Sequence, residues 1–194
     1  MQKPPFSTFE NYLVNPHPDA LPKALERLKD LANNEEIWEY PDEREGVLLR
    51  QFTREGDPVP HFRGDGSIDG YSVEDILSVV SQPSCRAIWD TRFESAFPVE
   101  LYNRNSNGFW ASQKGSGYLV WPRDFAGVMG HFQEKEGDKT VTYYLQTSVE
   151  MENFPKFPSS HVRGTIYVTG FIFRSVEGVN KVDVTYIVTI SLLF

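Results

Sequence analysis

Cysteine is almost absent from this chain of 194 residues: Cys85 stands alone, so no intrachain disulfide can form and no multi-thiolate metal site can be built. Long apolar runs are missing too. No stretch approaches the ~18 apolar residues that a membrane-spanning helix requires, and Met1-Gln2-Lys3-Pro4-Pro5-Phe6 holds no apolar core for a signal peptide. Asn-x-Ser/Thr sequons are lacking, and the expected location is reducing and cytoplasmic. Positive charge is scarce: 19 Lys and Arg face 27 Asp and Glu, for a formal charge of -8. Without a basic face to neutralise phosphates, nucleic acid is not expected as a partner. The same acidity disfavours charge-driven adsorption to anionic lipid but is compatible with a brief, hydrophobic membrane contact.

Catalytic signatures are equally sparse. His17, His61, His131 and His161 are scattered without metal-ligand spacing. No Gly-x-Ser-x-Gly elbow occurs, and Cys85 has no neighbouring base. Gly64-Asp65-Gly66-Ser67-Ile68-Asp69-Gly70 is faintly like a calcium loop, but its twelfth position would fall on Ile76 rather than Glu, so a turn is expected. No catalytic residue, metal or cofactor is assigned.

What is present is a folded composition, 40% hydrophobic and 14% aromatic. Residues 1–18, with four prolines, read as an irregular extension, and residues 19–194 as one domain. Asp19 is placed as the N-cap of a helix carrying Leu21, Leu25, Leu28 and Leu31, ended by Asn33-Asn34. Short strands are expected at 38–40, 46–52 and 59–63, the third closed by Gly64-Asp65-Gly66. Ser72 and Asp75 form a capping-box pattern ahead of Val73, Ile76, Leu77 and Val80. Beyond Pro83 the pattern becomes a meander, with turns expected at Asn107-Gly108, Glu136-Gly137-Asp138 and Glu177-Gly178. The class is α+β. In the last strand Val182, Val184, Tyr186, Val188, Ile190 and Leu192 alternate with Asp183, Thr185, Thr189 and Ser191, which predicts one dry and one wet face.

Four motifs occur in one order over residues 72–193: Trp89-Asp90 with Phe93; Pro122-Arg123-Asp124-Phe125; Val162-Arg163-Gly164 with Gly170-Phe171-Ile172; and Val184-Thr185-Tyr186-Ile187-Val188. In order and spacing they resemble the START (steroidogenic acute regulatory protein-related lipid transfer) family. The resemblance implies a helix-grip fold, a curved antiparallel β-sheet around an apolar tunnel that holds one lipid. The family's C-terminal helix, entered through an Asp-x-x-Gly-x-x-Pro turn, has no counterpart in this chain, where Ser191 and Phe194 stand at the Asp and Gly positions. The implied function is lipid binding or lipid transfer, with transient membrane contact. The alternatives are a ligand-sensing regulatory domain without transfer and a small cyclase- or hydrolase-like enzyme on the same fold.

The resemblance also locates candidate residues. Tyr118, Leu119, Val120 and Trp121 occupy the position of the loop that gates the tunnel, and they combine apolar bulk with interfacial aromatics. The buried Arg of sterol-carrying relatives falls on Met129, and its acidic partner falls near Trp110. A Met/Trp pair cannot orient a sterol hydroxyl through charge but suits a flexible apolar wall. His131 shares a strand face with Met129 and is a candidate for the ligand's polar end. Of the adjacent Tyr143 and Tyr144 one must face inward; parity leaves open which. Phe171, Tyr186, Val188 and Ile190 complete the expected lining. Arg123, Asp124, Arg163, Trp89 and Asp90 are expected to hold strand ends by ion pairs and caps.

Overall fold

The computed structural model describes residues 12–56, 59–115, 121–150, 161–176 and 178–191. Helix α1 (Ala20–Asn33) forms where leucines repeat every three to four positions, and it buries Leu21, Ala24, Leu25 and Leu28 along one face. Asp19 precedes it without a side-chain capping bond. A 3-10 turn (Glu35–Ile37) leads into β1 (Glu39–Arg44), β2 (Val47–Phe52) and β3 (His61–Asp69). Helix α2 (Val73–Val80) starts with the expected reciprocal capping box: the Asp75 amide donates to the Ser72 hydroxyl at 3.1 Å, and the Ser72 amide donates to the Asp75 carboxylate at 3.0 Å. Helix α3 (Pro83–Trp89) follows, with proline at its start. Seven further strands complete the described chain: β4 (Phe93–Asn103), β5 (Ser106–Gln113), β6 (Arg123–Glu136), β7 (Lys139–Ser148), β8 (Val162–Arg163), β9 (Thr165–Ser175) and β10 (Lys181–Ser191).

All ten strands share one curved sheet in the order β1-β2-β3-β10-β9-β7-β6-β5-β4, with β8 beside β6. Pairing is antiparallel except for the short β6–β8 contact. The three described α-helices all precede β4, and none follows β10. Helix α1 packs on the convex face, where Leu21, Leu25 and Leu28 meet Val128, Val141, Tyr143, Leu145, Val168, Ile172 and Ile187. Close approach depends on two glycines. A Cβ on Gly170 would lie 2.9 Å from Leu28 Cδ2, and one on Gly130 would lie 3.1 Å from Leu21 Cδ1. On the concave side α2 packs Val73 and Ile76 against Phe173 and Val182 at one end of the sheet.

Three local expectations need correction. The third strand does not stop at Gly64-Asp65-Gly66: β3 runs through it, because Val47 and Leu49 lie over the two glycines and take the space that side chains would fill. The hairpin turn falls on Arg104-Asn105, where the Asn105 amide donates to Asn103 Oδ1 at 2.7 Å, so Asn107-Gly108 lies inside β5. Nor is the second face of β10 wet throughout. Asp183 is exposed, but Thr189 and Ser191 are buried with Ile187 because the convex side is covered there.

Candidate functional site

The concave face is dry in part because large side chains alternate on β6, β7, β9 and β10. Met129, Tyr144, Phe171 and Tyr186 project to this side and wall a cavity of about 260 Å³. The α2–α3 junction, β4 and β5 close it through Pro83, Arg86, Phe93, Phe97 and Phe109. Its volume is near the lower end of small-molecule sites, roughly 300 Å³. Phe171 stacks on Tyr186 with ring centroids 4.1 Å apart. A smaller recess of about 50 Å³ adjoins it and is lined by Phe125, Ile166, Val188 and Ile190. Past Tyr186 and Val188 the concave face continues as an open trough over β1–β3, where Val47, Leu49, Phe62 and Ile68 are exposed.

Beside Arg86, Tyr144 and Tyr186, the cavity lining carries the neutral polar side chains Ser81, Gln82, Asn107, Gln146 and Thr169. Arg86 reaches both compartments but donates to Asp90 at 2.9 Å, and its guanidinium lies 5.8 Å from the Trp89 ring and 5.4 Å from the Phe93 ring. The pair leaves this wall close to neutral. Burial raises the pKa of Tyr144 and Tyr186 above the usual tyrosine value, although nearby Arg86 opposes the shift. Both hydroxyls therefore stay protonated at neutral pH. Gln146 and Thr169 sit side by side on β7 and β9 and line both compartments. Among the described residues lining the main cavity there is no carboxylate, histidine, lysine or cysteine.

The structure gathers six of the expected lining residues and separates three. Met129, Tyr144, Phe171 and Tyr186 share the main cavity, with Val188 and Ile190 beside it. Tyr143 faces the other way, since Val141, Tyr143 and Leu145 take the parity that meets α1. Its hydroxyl donates to Glu136 at 3.1 Å, and burial with that carboxylate pushes its pKa up to about 12. Trp110 is turned from the cavity, against Val99 and Ala126, and its indole N–H donates to Asp124 at 2.9 Å. His131 shares the face of Met129 but lies two positions nearer the strand end, in a surface groove beside Leu77, Gln133 and Thr142. Of the expected gating residues, Tyr118, Leu119 and Val120 lie outside the described residues, and Trp121 is 60% exposed.

Of the residues expected to be structural, Asp124, Arg163 and Asp90 do hold strand ends, whereas Trp89 is exposed at the end of α3 and lines the main cavity. Asp124 is buried and accepts from Arg163 at 2.7 and 3.0 Å as well as from Trp110. Asp90 accepts from the Arg92 and Phe93 amides and pairs with Arg86. Sequence reasoning missed Arg86, Gln146 and Thr169. Gln146 and Thr169 were within reach of parity, being two residues from Tyr144 and Phe171 on the same strand faces.

A sheet gripping a cavity between its concave face and the α2–α3 connection places the protein in the helix-grip class. The family model described as START domain matches residues 20–192, and the chain belongs to that family. Among solved structures it is similar to human StAR-related lipid transfer protein 5, with a TM-score of 0.79 and 19% identity over 92% of this chain and 85% of that one. It is also similar to human STARD10, with a TM-score of 0.72 and 16% identity over 87% of this chain and 66% of the other. A STAR-related lipid transfer protein fragment from Xanthomonas axonopodis aligns with a TM-score of 0.59 and 18% identity, over 80% and 82% of the two chains. No curated protein matches the sequence.

Proposed function

We propose that this chain is a non-catalytic lipid carrier, holding one lipid or other apolar ligand against the concave face and exchanging it during transient membrane contact. The observation that carries the reading is the aromatic and aliphatic cavity walled by Met129, Phe109, Phe171 and Tyr186 in a START-family fold. Binding energy would come from burying ligand surface at about 25 cal/mol per Å², while a few polar groups orient the molecule. An enzyme on the same fold is less well supported, because the described residues of the cavity wall offer no nucleophile with a base beside it.

Native mass spectrometry of the purified protein, with extraction of what co-purifies, tests the reading directly. One lipid per chain is expected. Ala111→Phe, which pushes a ring into the space shared by both compartments, should remove that lipid without lowering the melting temperature. A protein that neither retains nor takes up any lipid would overturn the proposal. Vesicle-to-vesicle transfer separates a carrier from a sensing domain, since a sensor binds but does not accelerate exchange.

A further inference from the structure

Thr169 departs from the way this sheet treats its buried threonines. Thr189 Oγ1 donates to the Val168 carbonyl at 2.8 Å, and Thr147 Oγ1 donates to the Tyr167 carbonyl at 2.9 Å. Thr169 is only 6% exposed, yet its Oγ1 is buried with no hydrogen-bond partner. The hydroxyl belongs to a side chain that lines both the main cavity and the recess, among Phe93, Phe109 and Tyr186. Valine has the same shape and would bury there without cost, so an unpartnered buried hydroxyl on the cavity wall points to a group that arrives with the ligand. Its directly opposed neighbour is Gln146, which lines the same two compartments. Opposed residues on one sheet face have Cβ atoms about 4.5–5.5 Å apart, so one ligand atom can meet both side chains.

We propose that Gln146 and Thr169 form a neutral hydrogen-bonding seat for the carbonyl oxygen of an acyl ester or amide, which makes the ligand a neutral acyl lipid. The inference rests on the carrier reading above and narrows its ligand class. A carbonyl oxygen has two lone pairs; the Gln146 amide N–H and the Thr169 O–H are two donors on one side of it. The charge balance agrees. Arg86, the cation of this cavity wall, is paired with Asp90, so an anionic head gains little here. The seat lies between the main cavity and the recess, where a linkage in the middle of a lipid can be held while its two ends occupy different compartments.

The test uses the full chain and three probes: methyl tetradecanoate, N-methyltetradecanamide and methyl tetradecyl ether, measured by displacement of an apolar fluorescent dye. The ester or the amide should bind about tenfold tighter than the ether, which has no carbonyl oxygen. The better of the two identifies the linkage. Thr169→Val should erase that preference while leaving ether affinity unchanged and the melting temperature of the ligand-free protein no lower than wild type, and Gln146→Leu should likewise erase it. Equal affinity of wild type for all three probes would overturn the seat and leave the carrier reading standing. A loss in Thr169→Val that is equal for ester and ether would also overturn it, as a change of cavity shape. Binding of none of the probes would count against the carrier reading itself.

Discussion

Asp124 illustrates how a residue that carries a family resemblance can be structural. It is 3% exposed, and its two oxygens accept three hydrogen bonds, two from Arg163 and one from Trp110. Asp124→Asn leaves the Trp110 bond possible but removes the charge opposite Arg163. The expected loss is about 2 kcal/mol in chemical denaturation, below the ~3–5 kcal/mol of a fully buried pair because the Arg163 side chain is half-exposed. Burial pushes the Asp124 carboxyl up, but the Arg163 and Trp110 hydrogen bonds and the Arg163 charge outweigh it and hold the carboxyl below its ordinary value. Asp65 behaves alike: burial raises it, while hydrogen bonds from Arg63, Thr185 and Arg50 bring it down. A folded pKa below the unfolded one gives stability that is complete above the unfolded value, about 3.9, and is lost as pH falls through the folded value. The denaturation midpoint should therefore drop below about pH 4, and less steeply in Asp124→Asn. At this scale the sequence revealed residue types but not always direction. Motif and parity pointed to Met129, Phe171 and Tyr186, which line the cavity, yet Tyr143 and Tyr144 could not be told apart until the pairing of β7 with β9 and the position of α1 were known.

Among elements, the seat of α1 on the sheet is sensitive to a single change. Gly170 sits where a Cβ would approach Leu145 Cβ at 2.8 Å, Leu28 Cδ2 at 2.9 Å and the Tyr144 carbonyl oxygen at 3.0 Å. The Tyr144 carbonyl oxygen and the Leu145 Cβ, both on the neighbouring strand β7, cannot give way easily, so Gly170→Ala should strain the β7–β9 pairing as well as press on Leu28 of α1. A cost of about 2 kcal/mol is expected, within the range of overpacked cores. Thermal or denaturant unfolding checks this, and an unchanged midpoint would mean that α1 tolerates a looser seat. The elements themselves were readable where period and capping agree, as in α2, or where the period alone is strong, as in α1. Glycine misled in two places. Gly64-Asp65-Gly66 reads locally as a turn but serves a strand whose neighbour folds over it, and Asn107-Gly108 reads as a hairpin but lies one step inside β5. Both errors concern contacts between segments, which no local pattern contains.

For the molecule as a whole, on the carrier reading proposed above, an acidic chain would exchange an apolar ligand at a membrane interface. A net charge of -8 repels anionic lipid over roughly the Debye length, about 8 Å at physiological salt, so approach must be sustained by apolar contact. Trp121 is suited to supply it. Its side chain is 60% exposed, while its carbonyl accepts from Arg123 Nη1 at 2.8 Å, so the backbone is anchored although the indole meets water. Exposed indoles partition to the headgroup boundary, and burying one there contributes about 2 kcal/mol. Trp121→Ser should slow lipid exchange between zwitterionic vesicles by about tenfold and leave the melting temperature nearly unchanged. Wild-type exchange should also be slower on anionic vesicles at low salt and recover as salt is added. A variant that melts several degrees lower would show that Trp121 is packing rather than contact, and one that exchanges lipid at the wild-type rate would place the route of entry elsewhere on the sheet.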